Sequence, residues 1–310
     1  MRAAVLTALK TSPAVQQFDE PRASAGLLKI SVVAGSSSPT DLMRADGLYG
    51  AVTPPYVVGG EGVGLIEDRT RVYFGHSASP YGSWADHTIV PEAEIWPIPN
   101  DIEDAQAIAL GISGTGALIP LEEAQLQPGE RVLILGATGP LGQIALQLAR
   151  QMGAGTVIAA ARNLSALQRL RSRGIADAIA QLGTGDDVAA LKSACPAGYN
   201  VVLDAIFGPP AEAALRATAV GARIMSIGVQ AGMSMSVSLR DLIFRTHAGV
   251  ATGMRPAAER RAAFERLIEF GRGGKIKVDV TTYSLNDAAD AWAAQRNGPH
   301  AKVIVRTDCS

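Results

Sequence analysis

The chain has 310 residues, 47% of them hydrophobic and only 18% charged, and Lys+Arg 28 against Asp+Glu 29 leaves a formal net charge of -1. That much apolar material supports a large core and excludes a disordered chain, while the even charge balance leaves no basic footprint for nucleic acid or an anionic membrane surface. Two cysteines, Cys195 and Cys309, are too few for a disulfide framework or a Cys-rich structural zinc site.

Short apolar runs broken by turn residues come first, at residues 3–6, 27–34, 56–66, 71–74 and 87–90. Pro54-Pro55 and the glycines between Gly59 and Gly64 punctuate them, which predicts a β-rich region. A helix is predicted to begin near Thr40, capped by that hydroxyl and with Asp41 in its first turn. Helical patterns follow at 103–111 and 115–124. From the Pro128-Gly129 turn onward the pattern alternates. Strands are predicted at 131–135, 156–161, 178–182, 201–204 and 222–227, and helices at 141–152, 164–173 and 211–220. This alternation predicts a parallel sheet with crossover helices. Residues 257–271 read as an amphipathic helix, 275–282 as a strand, 287–295 as a helix and 302–306 as a closing strand. The opening MRAAVLTALK lacks a signal peptide's apolar core and cleavage site, and no run approaches ~18 apolar residues, so a cytoplasmic protein without a membrane span is expected.

The sharpest motif is Leu133-Ile134-Leu135-Gly136-Ala137-Thr138-Gly139-Pro140-Leu141-Gly142. It leads from a buried strand into a helix, the context a dinucleotide fingerprint requires. Gly136 lets the chain leave the strand sharply, Gly139 permits close approach to a pyrophosphate, and Gly142 lets the helix pack on the strand. The helix N-terminus offers free N–H groups and the positive dipole end to phosphate, and Pro140 suits a first turn that needs no donor there. Ala137 stands where G-x-G-x-x-G has its first glycine. Gly136, Ala137, Thr138, Gly139, Pro140, Leu141 and Gly142 are therefore expected to cradle the cofactor. The next strand ends in Arg162-Asn163. A carboxylate here would bind the ribose 2′-hydroxyl of NAD, whereas Arg162 pairs with the 2′-phosphate of NADP and Asn163 adds a neutral donor. NADPH is the expected cofactor. Gly228 and Val229 follow the strand at 222–227 at its carboxyl edge, where α/β proteins bind ligands.

Several further segments fall in a telling order: Ser36-Ser37-Ser38-Pro39-Thr40-Asp41, Arg44, Gly47-Leu48-Tyr49, Val58-Gly59-Gly60-Glu61-Gly62-Val63-Gly64, Trp84-Ala85-Asp86-His87, Thr115 and the closing Ala301-Lys302-Val303-Ile304-Val305. With the glycine turn, they resemble the medium-chain dehydrogenase/reductase superfamily and, within it, the zinc-independent quinone oxidoreductases. The first of them is similar to a family stretch written Gly-Val-Asn-Pro-Val-Asp. The resemblance implies an α/β fold: a GroES-like β-barrel substrate domain (1–115 and 256–310) with an inserted Rossmann domain, a doubly wound parallel sheet (116–255). It implies that Tyr49 serves catalysis with Ser38 and Asp41 beside it, and that Thr115 contacts the nicotinamide carboxamide. It also implies a small-molecule quinone or α,β-unsaturated carbonyl as hydride acceptor and a homodimer through the Rossmann edge near 233–239, where apolar residues alternate as in a strand.

Zinc-dependent relatives use a first-domain Cys, a Gly-His-Glu segment and a cluster of four cysteines. Here Ser38 and Gly60 occupy the first two ligand positions, the cluster is absent, and His76, His87, His247 and His300 are scattered. No metal is expected. The reaction class left by this pattern is hydride transfer to an electron-poor acceptor. Reduction of an enoyl thioester is the enzymatic alternative, and a dinucleotide-binding sensor or structural subunit with little catalysis is the non-enzymatic one.

Overall fold

The structure, a computed structural model, describes residues 1–50, 52–67 and 69–307; Cys309 lies outside them. In chain order the elements are β1 (Arg2–Leu6), β2 (Ala14–Gln17), β3 (Leu27–Ser36), α1 (Pro39–Ala45), β4 (Tyr56–Val57), β5 (Glu61–Leu65), β6 (Arg71–Phe74), β7 (His87–Pro91), β8 (Ile95–Pro97), α2 (Asp104–Leu110), α3 (Ile112–Glu123), β9 (Arg131–Leu135), α4 (Pro140–Gln151), β10 (Thr156–Ala161), α5 (Leu164–Ser172), β11 (Ala178–Gln181), α6 (Asp187–Ala194), β12 (Tyr199–Asp204), α7 (Gly208–Arg216), β13 (Thr218–Ser226), α8 (Leu239–Leu242), β14 (Thr246–Gly249), α9 (Ala257–Gly271), β15 (Val280–Ser284), α10 (Ala288–Arg296) and β16 (Lys302–Arg306). No helix among the described residues is long and apolar enough to cross a membrane.

The chain divides into two units. The first comprises Met1–Ile112, Ala257–Ala262 and Asp279–Ser310. It holds a three-stranded sheet, β2-β1-β4, and a seven-stranded one in which β15-β16-β3-β5-β6-β8 run in order and β7 also pairs with β3. The ten residues of β3 serve three antiparallel partners: β7 from Leu27, β5 from Ser31 and β16 from Ala34. A register shift between Val32 and Ala34 bends the strand where its pairing extends from β5 to β16. Trp84 and Trp292 meet edge to face at 5.8 Å in a core that includes Leu6, Val303 and Val305. Glu61, 1% exposed, pairs with Lys302 Nζ and accepts hydrogen bonds from Tyr73 Oη (2.7 Å) and the Ile112 N–H (2.9 Å). At α9, Arg260 Nη1 donates to Glu94 Oε2 at 2.8 Å and Nη2 donates to Oε1, with His76 alongside.

The second unit comprises Ser113–Pro256 and Ala263–Val278. Its six strands are all parallel, in the order β11-β10-β9-β12-β13-β14, the doubly wound arrangement whose switch point falls between β9 and β12. The central strands are near-continuous apolar runs, and Val132–Leu135 and Val157–Ala160 are fully buried because both faces of such a sheet are covered.

Several sequence expectations need correction. The N-cap of α1 is Ser38, two residues before Thr40, because Pro39 takes the first helical position. The helix expected to 220 ends at Arg216, where Thr218 Oγ1 turns back onto the Leu215 carbonyl at 2.7 Å and the chain enters β13. The strand expected from 275 begins at Val280, since both backbone groups of Lys277 bond the Gln147 side chain (2.8 and 2.9 Å). Those bonds, with the Arg266–Glu122 pair at 2.8 Å, group 263–278 with the second unit, whereas the sequence reading put it in the first. No strand forms over 233–238. Ser238 instead caps α8 through a reciprocal box with Asp241, and the sheet's edge is β14.

Burial raises the Glu94 carboxyl, but hydrogen bonds from His76 and Arg260 outweigh it and hold the group down at about 2. A carboxyl depressed from 4.5 contributes stability that is complete above that pH and lost as pH falls toward 2. Glu94→Gln should therefore remove an acid-sensitive component between pH 4.5 and 2. It should also cost about 2–3 kcal/mol at neutral pH once solvent screening is allowed for, read from urea unfolding across that range.

Candidate functional site

The turn after β9 is built from short backbone bonds. Gly136 (φ +77°) and Ala137 both donate to the Ala160 carbonyl, at 3.0 and 3.1 Å, and Gly139 donates to Gly136 at 3.2 Å. Gly139 is the N-cap of α4 and Pro140 its first residue. A Cβ at Gly142 would lie 2.5 Å from both the Ala137 Cα and the Gly136 carbonyl oxygen, so glycine is obligatory there. At Gly139 a Cβ would meet only the Gly136 oxygen at 3.7 Å, so the protein itself does not demand glycine. The N–H groups of Leu141 and Gly142 have no intrahelical acceptor and point from the helix start. The sequence reading missed Gln143. It is buried, its Nε2 donates to the Thr138 carbonyl at 2.9 Å, and its own carbonyl accepts from Gln147 Nε2 at 2.8 Å, so it braces the turn from beneath. Thr115 is buried in α3, and its neighbour Gly116 lies so near the start of α4 that a Cβ would come 2.9 Å from Leu141 Cδ1.

Around this turn lie the ends of the neighbouring strands. Arg162, just after β10, is exposed, and among the described residues it forms no ion pair. Asn163 has a structural role as N-cap of α5, its Oδ1 accepting from the Ala166 N–H at 3.0 Å. A Cβ at Gly228 would lie 2.0 Å from the Ala205 carbonyl oxygen, which fixes Gly228 and Val229 against the end of β12. There the fully buried Asp204 accepts from the N–H groups of Ile206 and Phe207 (3.0 and 2.8 Å) and from Ser226 Oγ (2.7 Å). Ser226 Oγ also meets His247 Nε2 at 2.9 Å, and burial lowers that imidazole against the raising pull of Asp204. This three-strand network went unread because its members lie far apart in the sequence.

In the first unit, α1 brings Ser38 and Asp41 together. Asp41 Oδ2 accepts from the Ser38 N–H at 2.7 Å and from Ser38 Oγ at 2.9 Å. Burial raises the Asp41 carboxyl, opposed by those two bonds. Tyr49 is 43% exposed on the following turn, with the Arg44 guanidinium 5.7 Å from its ring centroid. The donor set does not fit a catalytic zinc. The Ser38 hydroxyl is committed to Asp41, Gly60 has no side chain, and the described residues hold no group of three or more His, Cys, Asp or Glu suited to a metal.

The family described as zinc-binding dehydrogenase matches residues 140–270. The chain is 27% identical over 308 residues to a phenolphthiocerol/phthiocerol polyketide synthase of Mycobacterium tuberculosis, a match covering 94% of this chain but only 14% of that protein. It is 28% identical over 238 residues to the quinone oxidoreductase-like protein 2 homolog of Nematostella vectensis, covering 73% of this chain and 64% of that one. The quinone oxidoreductase of Thermus thermophilus, solved alone and with NADPH, superposes with a TM-score of 0.81 at 27% identity, over 99% of this chain and 100% of that one.

The two glycines of the turn should separate stability from binding. Gly142→Ala forces backbone apart and should cost about 2–4 kcal/mol in urea unfolding, whereas Gly139→Ala should stay within about 1 kcal/mol of the parent.

Proposed function

We propose, from the premise that this chain is a quinone oxidoreductase-like member of the medium-chain dehydrogenase/reductase family, that it is an NADPH-dependent reductase of quinones or α,β-unsaturated carbonyls that works without zinc. The observation that carries this reading is the 136–142 turn, a braced strand–turn–helix that directs the Leu141 and Gly142 N–H groups outward beside the sheet's switch point. When bound, a reduced nicotinamide supplies the hydride that a conjugated acceptor takes up.

The chain's residues then have separate tasks. The backbone of Gly136, Ala137, Thr138, Gly139, Pro140, Leu141 and Gly142 holds the pyrophosphate, and Gly142 keeps the helix start close to the strand. Arg162, with no carboxylate partner among the described residues, takes the 2′-phosphate, and Asn163, the cap of α5, fixes the strand end beside it. Gly228 and Val229 lie along the cofactor at the carboxyl edge, and Thr115 contacts the carboxamide. Ser38 and Asp41 form a hydrogen-bonded pair that orders the start of α1. Tyr49, exposed and lying under the Arg44 cation, supplies the proton that completes reduction of the acceptor. The homodimer belongs to the same proposal, and exposed Met233 and Leu239 near the sheet edge support it.

One observation favours a second reading, reduction of an enoyl thioester: the alignment spans 94% of this chain within a polyketide synthase. NADPH oxidation with 1,4-benzoquinone, short enones and a crotonyl thioester separates the two. Turnover of free quinones or enones supports the first reading, and turnover of the thioester alone supports the second. Loss of all turnover while NADPH still binds would mark the chain as a sensor. Arg162→Asp should weaken NADPH binding about tenfold or more, near 1.4 kcal/mol, and leave NADH almost unchanged; equal losses for both would contradict the 2′-phosphate assignment.

A further inference from the structure

A cavity of about 80 Å³ opens within the first unit. A buried water needs roughly 10–15 Å³ of such space, so this one has room for a small organic group. Three of the side chains lining it carry buried polar atoms with no hydrogen-bond partner among the described residues: Tyr56 Oη, Ser77 Oγ and Trp292 Nε1. Trp292 is 1% exposed and its N–H can only donate. The two hydroxyls rotate, so each can donate as well. Leaving such groups unmatched costs about 1–3 kcal/mol each, which makes this wall a strong attractor for an acceptor.

The charged lining limits what that acceptor is. Asp41 and Arg44 both line the cavity and carry opposite charges. Asp41 Oδ2 is committed to Ser38, and Oδ1 faces Gly60, where a Cβ would stand 3.0 Å away. A neutral ligand enters without leaving either charge uncompensated, while an anion adds to Asp41 and a cation to Arg44. We propose that this cavity is a binding site for the carbonyl group of a small neutral molecule, its oxygen accepting from Trp292 Nε1–H and the hydroxyls of Tyr56 and Ser77. The site makes Tyr56 and Ser77 specificity-determining residues, and it rests on the reductase reading for the class of ligand it names.

The test is equilibrium binding by calorimetry to the full chain without cofactor, using cyclohex-2-enone and its deoxygenated analogue cyclohexene. Saturable enone binding that exceeds cyclohexene binding, and that weakens about tenfold in Tyr56→Phe and in Ser77→Ala, is the expected result. Both variants remove one oxygen, and circular dichroism melts check that the fold is retained. Trp292 is left intact because it packs on Trp84 in the core. Equal binding of enone and cyclohexene, no saturable binding, or unchanged affinity in both variants would overturn the site and leave a cavity that holds ordered water only. The two readings fail separately. Enone that binds as expected, while NADPH reduces neither it nor 1,4-benzoquinone, refutes the reductase and keeps the site. Enone that is reduced with binding and KM unaltered in the variants refutes the site and keeps the reductase.

Discussion

A carboxylate taken almost wholly out of water, Glu61, decides how the first unit closes. It stands at the head of β5, and its partners come from three elements: the neighbouring strand β6, the closing strand β16 and the start of α3. Lys302 begins the last strand, 241 residues away, Tyr73 lies on β6 and Ile112 begins α3. Two desolvated charges repay their burial only when the remaining lone pairs are also bonded, and here Tyr73 and Ile112 bond them. Tyr73 serves as a neutral donor, its phenol pushed well above its usual range by burial and by the adjacent Glu61 charge. Losing either ion would strand the other in a dry core, a penalty of about 3–5 kcal/mol. The closing strand β16 is thereby tied to β5, two strands away in the same sheet, and Glu61 fixes the strand that follows Gly59 and Gly60.

The second unit solves a different problem, presenting unbonded N–H groups without losing its own packing. It does so by making the turn stiff. The Ala160 carbonyl accepts twice, Gln143 props the Thr138 carbonyl from below, and Gly142 admits a contact no other residue could make. The Gly139 backbone has no such demand from the protein, so its glycine is free to serve whatever approaches from outside. Glycines with opposite reasons thus sit three residues apart in one motif.

Legibility in the sequence followed the range of the interaction. The strands β9, β10 and β16 were read to the residue because a doubly buried strand is a continuous apolar run, visible without knowing its neighbours. The 136–142 turn was legible for the same local reason. Elements set by a competing side-chain bond were misread: Ser238 and Asp241 divert an alternating stretch into α8, and Gln147 holds Lys277 out of β15. The short β14 and α6 went unread because four and eight residues are too few to show a clear period. What could not be read at all were the side-chain assemblies drawn from distant segments, namely Glu61 with Lys302, Asp204 with Ser226 and His247, and the lining of the cavity beside Asp41. The segments Val58–Gly64 and 301–305 were each singled out, yet nothing local says that one supplies the anion and the other its cation.

Within the first unit, a donor set that does not fit a catalytic zinc stands beside the cavity proposed for an organic group. A thiolate and an imidazole would fill the space beside α1 and demand a cation. A serine at 38 instead turns its hydroxyl onto Asp41, which settles that carboxylate's Oδ2. The absent side chain at Gly60 lets the carboxylate pack close, its Oδ1 only 3.0 Å from where a Cβ would stand. The result is a wall with a balanced pair of charges and a surplus of neutral donors in Tyr56, Ser77 and Trp292. Such a wall carries no net charge to favour an ion and has neutral donors to offer a carbonyl oxygen. Selectivity of that kind is expected to be steep, because a ligand lacking the oxygen leaves buried donors unpaired.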